Sequence, residues 1–182
     1  IYDPFIERGL DALNYACYQD ARFLLVATPS GISLAPEGGA HQSIGTPLIG
    51  MSKPGLASFE PAFTDELSVI MRFAFSYLQR EETEGLDFAI EADLLGDRRG
   101  GSVYLRLTTR RVEQIDRAID DTLTSEIIDG GYWLVPPQSS CSVVIAYIGA
   151  VAPQVIQSCD ELNRGSPGST AVLAITSADR LH

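Results

Sequence analysis

A series of short apolar runs, separated by segments with helical spacing, constrains the fold of this chain most strongly. Residues 23–27 form a continuous apolar run of strand length, and residues 56–59 and 103–107 are further segments of this kind. Strands buried on both faces of a parallel sheet have this uninterrupted apolar character. The alternation of such runs with helical segments therefore predicts an α/β fold with a parallel sheet.

Two segments in the first half have apolar residues at helical spacing. Residues 4–19 carry one such stripe, with Pro4 in the first turn, where proline is tolerated. Residues 63–80 carry a longer stripe, and Asp65 and Glu66 in its first turn complement the helix dipole. We predict a helix in each segment and a shorter one near residues 44–51.

The second half predicts a separate α/β unit. Apolar runs at 132–135, 142–148 and 170–176 enclose a helical pattern at 153–162. A strand, a helix and a strand in this order predict a βαβ unit with a right-handed crossover. Residues 81–101 are predicted to be an exposed insertion or linker, and a domain boundary is expected within 108–130.

Composition excludes several classes of function. The net charge of -11 disfavours non-specific binding to nucleic acid or to anionic membranes. No apolar run approaches the length needed to span a bilayer, and no signal peptide opens the sequence. Cys17, Cys141 and Cys159 form no paired motif, so we expect reduced thiols in a soluble, cytoplasmic protein. Because the sequence begins at Ile1 and ends after a strand-like run, we expect a fragment of a longer chain.

The loop after the first apolar run contains the main candidates for chemistry. Glu37, Gly38, Gly39, Ala40, His41 and Gln42 combine a carboxylate, two glycines and the only internal histidine. Glycines allow close backbone approach, and histidine titrates near neutral pH. The alternative is a surface turn in which His41 simply hydrogen-bonds to a neighbour. Motifs typical of nucleotide hydrolysis, dinucleotide binding, zinc proteolysis and ester hydrolysis do not occur.

The same loop resembles a segment of a known superfamily. Residues 31–42 read Gly-Ile-Ser-Leu-Ala-Pro-Glu-Gly-Gly-Ala-His-Gln and resemble the transketolase segment Ser-Ile-Gly-Leu-Gly-Glu-Asp-Gly-Pro-Thr-His-Gln. Residues 11–22 and 59–71 are more similar to the first, decarboxylating component of homodimeric 2-oxo acid dehydrogenases of the pyruvate dehydrogenase type. The chain is therefore identified as resembling thiamine-diphosphate enzymes of the transketolase-like superfamily.

This resemblance implies a domain organisation and an activity. Residues 1–110 would be the later part of a pyrimidine-binding domain, residues 111–130 a linker, and residues 131–182 the start of a transketolase C-terminal-like α/β domain. The full-length enzyme would be an oxidoreductase that decarboxylates a 2-oxo acid and passes the acyl group to a lipoyl acyltransferase component. It would work as a homodimer with thiamine diphosphate and Mg²⁺, whose diphosphate and metal motif is not in this chain, so the isolated fragment is expected to be inactive.

The resemblance also suggests roles for particular residues. His41 matches a loop histidine that exchanges a proton or hydrogen bond with the substrate oxygen or the lipoyl sulfur, and Glu37 matches an acidic residue that orients the substrate or the histidine. Gly38, Gly39 and Gln42 would complete the substrate loop. Tyr2 and Phe5 lie where the superfamily stacks aromatic rings on the aminopyrimidine, although core packing is an alternative for Phe5.

Departures from the transketolase pattern keep other functions open. Glu37 replaces an aspartate, and Gly39, Ala40 and Ser43 replace proline, threonine and proline. A transketolase or deoxyxylulose-phosphate synthase would need arginines for the distal phosphate of a sugar, and the candidates by residue type are Arg72, Arg106, Arg110 and Arg111. A relative without cofactor, kept as an interaction module, is the alternative from outside the enzymes.

Overall fold

The computed structural model describes residues 1–41, 44–80 and 99–181 of the chain. The strands are β1 (Leu24–Ala27), β2 (Leu56–Phe59), β3 (Ser102–Arg106), β4 (Gly131–Val135), β5 (Val143–Ile148) and β6 (Thr170–Ile175). The α-helices are α1 (Leu10–Tyr18), α2 (Pro47–Met51), α3 (Thr64–Leu78), α4 (Asp121–Asp129) and α5 (Ala152–Gly165). Shorter 3₁₀ segments cover Asp3–Gly9, Gly31–Glu37, Gly39–His41 and Gly149–Val151. No helix within the described residues has the length and apolar character to cross a membrane.

The first sheet is parallel, as the sequence predicts. Its strand order in the described residues is β1-β3-β2, with β3 hydrogen-bonded to both neighbours. All five residues of β3 are buried, including the polar Ser102 and the charged Arg106. Because the three strands run in the same direction, Ala27, Phe59 and Arg106 end at one edge of the sheet. This carboxyl edge is where α/β sheets bind ligands.

The second sheet confirms the predicted βαβ unit. Its order in the described residues is β4-β6-β5, and β5 runs parallel to β6 with α5 as the connection. β4 pairs antiparallel with β6, so this sheet is mixed. The burial of Ala152 and Cys159 places the apolar side of α5 towards the sheet.

One hydrophobic core connects the two sheets. Phe59 and Phe73 from the first half belong to the same buried cluster as Ile127, Tyr147 and Val172 from the second half. The backbone N–H of Glu60 also donates to the carbonyl oxygen of Thr176 at 2.8 Å. The edge strand β2 is thereby covered by the second half of the chain, which protects its free hydrogen-bonding edge.

A buried polar network joins the start of α3 to β4. One carboxylate oxygen of Glu66 accepts hydrogen bonds from the backbone N–H groups of Ala62, at 2.7 Å, and Phe63, at 2.9 Å. The other accepts the hydroxyl of Tyr132 at 2.6 Å. Arg117 donates to the same hydroxyl at 2.8 Å and pairs with Asp65 at 2.6 Å. The acidic first turn, expected only to complement the helix dipole, thus also connects the two halves of the chain.

Three predictions about local structure need correction. The helix predicted over residues 4–19 is divided into the 3₁₀ segment Asp3–Gly9 and the α-helix α1. Gly100 and Gly101 were predicted to be exposed, but both are buried. A Cβ atom at either position would lie within 2.5 Å of a backbone carbonyl oxygen, so the surrounding backbone is close-packed there. The rest of the predicted exposed insertion, residues 81–98, lies outside the described residues. The segment 111–130, expected as a linker, contains α4.

The boundaries of α4 follow from capping residues at both ends. Asp120 is the N-cap, and its Oδ1 atom accepts the backbone N–H of Leu123 at 2.8 Å. Gly130 ends the helix with a φ of 113°, a left-handed conformation that favours glycine. We expect Asp120→Ala to lower the free energy of unfolding by about 1 kcal/mol, measured by urea denaturation. Asp121→Ala is the matched control, and an equal loss in both variants would contradict a capping role for Asp120.

Candidate functional site

The candidate site is built on the long connection that follows β1 at the carboxyl edge of the first sheet. This connection forms the 3₁₀ segments Gly31–Glu37 and Gly39–His41, separated by Gly38. Gly38 has a φ of 84°, which a residue with a side chain rarely adopts. The N-terminal segment of the chain lies beside the same edge, because Thr28 donates its N–H to the carbonyl oxygen of Ile1 at 2.9 Å.

Three rings from the two segments lie together. The rings of Tyr2 and Phe5 meet edge to face, with centroids 5.1 Å apart. The imidazole of His41 lies 6.0 Å from the Tyr2 ring and 6.4 Å from the Phe5 ring. The guanidinium of Arg8 lies over the Phe5 ring at 4.5 Å. These four side chains, together with Glu37, are called the aromatic cluster below.

Glu37 belongs to this cluster through Tyr2. The Tyr2 hydroxyl donates a hydrogen bond to the Oε2 atom of Glu37, 35 residues away in sequence. This hydrogen bond to the carboxylate, more than partial burial or charge repulsion, raises the pKa of Tyr2 above its usual value. The hydrogen bond holds Glu37, the last residue of the 3₁₀ segment Gly31–Glu37, against the N-terminal segment.

The loop is also attached to the end of β3. Ser30 donates its N–H to the carbonyl oxygen of Leu107 at 2.9 Å. The hydroxyl groups of Ser33 and Thr108 form a hydrogen bond with each other. Leu34, a residue of the loop, is fully buried. These contacts hold the start of the loop on the sheet, while Glu37 and His41 lie farther along it.

A buried charged cluster lies next to this site, and the sequence interpretation missed it. Arg106 forms ion pairs with Glu60 and with Asp3, the latter at 3.4 Å. Asp3 also accepts the hydroxyl of Thr46 at 2.8 Å and that of Tyr104 at 3.3 Å. Burial raises the pKa of Glu60, and the Arg106 charge opposes this shift. A charged residue at the end of an apolar strand needs a buried partner, which is the signal that could have predicted this cluster.

The structure brings together most of the residues that the sequence analysis selected. Tyr2, Phe5, Glu37 and His41 form one cluster, and the Phe5 side chain is 40% exposed rather than part of the core. Gly38 and Gly39 lie between Glu37 and His41 in the loop. Gln42 lies outside the described residues.

The four arginines considered for phosphate binding have different surroundings. Arg106 is 2% exposed and paired with carboxylates, so its guanidinium is engaged inside the protein. Arg110 donates to the carbonyl oxygen of Ala150 at 3.2 Å and to the side chain of Gln154 at 3.1 Å. Arg72 and Arg111 are exposed. These positions do not form one convergent group around the aromatic cluster.

The aromatic cluster suits an aromatic ligand better than a metal ion. Tyr2 and Phe5 offer partly exposed ring surface, on which a flat heterocycle can stack. In residues 1–41, 44–80 and 99–181, no group of three or more His, Cys, Asp or Glu side chains could hold a metal ion.

The fold of this chain is similar to that of solved structures, although its sequence is not similar to a described family. No protein-family description and no curated protein sequence matches the chain. Solved structures do match, and they share the mixed α/β fold. Transketolase from Campylobacter jejuni has a TM-score of 0.74 at 15% identity, over 99% of this chain and 24% of that chain. Transketolase from Leishmania mexicana has a TM-score of 0.73 at 17% identity, over 99% of this chain and 23% of that chain.

A third match has a bound sugar phosphate. Transketolase from Pichia stipitis in complex with sedoheptulose 7-phosphate has a TM-score of 0.74 at 17% identity, over 99% of this chain and 23% of that chain. The chain thus spans about a quarter of the length of these transketolases. At such low identity the likeness shows the fold: this chain has the α/β fold of one segment of a transketolase.

Proposed function

We propose that this chain is part of a thiamine-diphosphate-dependent enzyme that decarboxylates a 2-oxo acid, with pyruvate as the first candidate. The observation that carries the proposal is the aromatic cluster, in which Tyr2, Phe5, Glu37 and His41 meet at the carboxyl edge of the parallel sheet. The transketolase-like fold supports dependence on thiamine diphosphate. The resemblance of residues 11–22 and 59–71 to 2-oxo acid dehydrogenases favours that branch.

When bound, thiamine diphosphate supplies the electron sink for loss of carbon dioxide, and the protein supplies position and proton management. Phe5 offers a ring surface against which the aminopyrimidine stacks, and Tyr2 supports it edge to face. His41 holds or donates a proton at the substrate oxygen or at the sulfur of an incoming lipoyl group. Glu37 holds the Tyr2 hydroxyl and sets the position of the Gly38 turn before His41.

The proposal includes partners that this chain does not contain. A homodimer would place the diphosphate and Mg²⁺ site of one subunit against the aromatic cluster of the other. A lipoyl acyltransferase component would accept the acyl group. The net charge of -11 argues against nucleic acid or an anionic membrane as a partner. A cytoplasmic location remains part of the proposal.

A sugar-phosphate enzyme of the transketolase or deoxyxylulose-phosphate synthase type is the second candidate. The matched Pichia stipitis transketolase contains sedoheptulose 7-phosphate, and the fold fits either branch equally. The surroundings of the arginines favour the first candidate, because Arg106 is buried in ion pairs and Arg110 donates to Ala150 and Gln154. A cofactor-free interaction module is the third candidate, and it would bind no thiamine diphosphate.

The deciding experiment measures carbon dioxide release from pyruvate by the full-length protein with thiamine diphosphate and Mg²⁺. An artificial electron acceptor reports decarboxylation, and a lipoyl domain reports acyl transfer. Activity in both assays is the expected result. Cofactor binding without release from any 2-oxo acid, together with ketol transfer between sugar phosphates, would favour the second candidate. Absence of cofactor binding would favour the interaction module.

The proposed stacking predicts a change in cofactor affinity. We expect Phe5→Ala in the full-length protein to raise the Kd of thiamine diphosphate by about 3- to 10-fold, because an aromatic contact contributes about 0.5–1.5 kcal/mol. Isothermal titration calorimetry with Mg²⁺ present measures this constant. Tyr18→Ala is the matched control, since Tyr18 is an 85% exposed ring on α1 that stacks on Tyr15. Equal Kd values for Phe5→Ala and the native protein would exclude the stacking role.

A further inference from the structure

One of the two segments that form the aromatic cluster, the N-terminal segment, is attached to a buried arginine. Arg106 is the last residue of β3, the central strand of the first sheet, and its side chain is 3% exposed. Its Nη1 atom pairs with Glu60 and its Nη2 atom with Asp3. The planar guanidinium has donors in a fixed arrangement, so it holds two carboxylates at a defined separation.

Asp3 connects Arg106 to the N-terminal segment. It follows Tyr2 directly, begins the 3₁₀ segment that contains Phe5, and is fully buried. Its Oδ2 atom accepts from Thr46 and from Arg106. The backbone at Tyr2 is therefore fixed from inside the protein, on the side opposite to the exposed rings.

Glu60, the other partner of Arg106, lies beside the start of the loop. Its Oε1 atom would lie 3.5 Å from a Cβ atom at Gly31, the first residue of the 3₁₀ segment that ends at Glu37. A Cβ atom at Gly149, before α5, would lie only 2.7 Å from the same oxygen. Gly31 and Gly149 have φ values of 56° and 60°, a conformation that favours glycine. The Glu60 carboxylate is thus enclosed by the loop on one side and by the second sheet's connection on the other.

We infer that Arg106, with Asp3 and Glu60, positions the site by fixing the segment that carries Tyr2 against the loop that carries Glu37 and His41. Two contacts then hold the N-terminal segment in place. The Tyr2–Glu37 hydrogen bond lies at the surface, and the ion pairs of Arg106 with Asp3 and Glu60 lie in the interior. Removing Arg106 leaves the buried carboxylates of Asp3 and Glu60 to repel each other, so the segment that carries Tyr2 moves away from the end of β2 and from its place beside the loop. None of these three residues is placed in contact with the substrate, and their role is positioning.

The test follows the Tyr2–Glu37 contact directly. The full-length protein is labelled with 3-fluorotyrosine, the Tyr2 signal is assigned by its loss in Tyr2→Phe, and its titration is followed by ¹⁹F NMR. The Glu37 carboxylate accepts a hydrogen bond from the Tyr2 hydroxyl, and this hydrogen bond raises the pKa of Tyr2. His41, the neighbouring Asp3, and Arg8 over the adjoining Phe5 ring are further charged or titratable groups close to this ring. In Arg106→Met we expect the Tyr2 midpoint to shift down towards the value of an exposed 3-fluorotyrosine, because the hydrogen bond to Glu37 opens.

A second variant, in the other half of the chain, disturbs the ion pairs of Arg106 with Asp3 and Glu60. Gly149→Ala places a methyl group against the Glu60 carboxylate without removing any charge, and it should shift the Tyr2 midpoint in the same direction. Gly165→Ala is the matched control in the same half, because a Cβ atom there meets nothing within 4 Å. An unchanged Tyr2 midpoint in folded Arg106→Met, or in Gly149→Ala if the first variant does not fold, would overturn the inference.

The inference rests on the proposed function only for its effect on turnover. If that function holds, misplacement of the site residues by about 1 Å lowers kcat for 2-oxo acid decarboxylation by about 100-fold in Arg106→Met. The exposed Arg72→Met is the control and should keep native turnover. A shifted Tyr2 midpoint in a protein that releases no carbon dioxide would reject the proposed function while supporting the positioning role. Full turnover in Arg106→Met with an unchanged midpoint would reject the positioning role alone.

Discussion

His41→Ala in the full-length protein is expected to lower acyl transfer to a lipoyl domain by about 10²- to 10⁴-fold, the range typical of proton transfer by a placed side chain. The reason is the position of His41 beside the rings of Tyr2 and Phe5, on a loop whose start is attached to the segment after β3. Decarboxylation with an artificial electron acceptor should fall less, because that assay needs no proton delivery to the lipoyl sulfur. Parallel assays of the two half-reactions measure the difference.

The control for this prediction is a substitution in the same loop. Ile32 belongs to the 3₁₀ segment Gly31–Glu37 and is 47% exposed, so Ile32→Ala should keep both half-reactions near native rates. Equal losses in both half-reactions would instead assign His41 to substrate binding, and an unchanged rate would leave His41 as a surface residue.

Glu66→Ala is expected to lower the free energy of unfolding by about 3–5 kcal/mol, more than the loss expected for Asp120→Ala. Glu66 is 1% exposed and accepts two backbone N–H groups at the start of α3 and the Tyr132 hydroxyl of β4. Alanine leaves these donors buried without an acceptor and also removes an anion close to Arg117. Urea denaturation of native and variant proteins at one pH measures the loss.

Glu66→Gln separates the charge of this residue from its shape. Burial raises the pKa of Glu66, and its hydrogen bonds from Tyr132, Phe63 and Ala62 oppose the shift. A raised pKa means that the carboxyl contributes most to stability below its unfolded value of about 4.3, and that this contribution is lost as the pH rises through the folded value. Glu66→Gln should therefore show a smaller decrease in stability than the native protein between about pH 4 and pH 7. A steeper decrease in the variant would contradict the direction of the pKa shift.

The secondary structure was predicted well because its signals are local. The apolar run 23–27 contains β1, and the stripe in 63–80 contains α3, since burial on one or both faces leaves a periodic pattern in the sequence. The βαβ order of β5, α5 and β6 was predicted for the same reason. The helix predicted over 4–19 was only partly correct, because Asp3–Gly9 forms a 3₁₀ segment and the α-helix begins at Leu10.

The candidate site was predicted less completely. The sequence singled out Glu37 and His41 because of their loop, and it placed Tyr2 and Phe5 beside them only through resemblance. It did not predict that Glu37 would bind the Tyr2 hydroxyl, a contact between residues 35 positions apart. Tyr15, another aromatic residue near the start of the chain, stacks on Tyr18 at a centroid distance of 6.4 Å. Such pairings depend on how the N-terminal segment lies on the sheet.

The sequence by itself determined the α/β class, the order of strands and helices, and the loop that carries His41, because each depends on residues close together in the chain. Only the tertiary structure decided which charged residues are buried together. Asp3, Glu60 and Arg106 come from three distant segments, and each alone would be expected at the surface. They meet because the parallel strands end at one edge, where a buried charge is stable only if an opposite charge lies within contact distance.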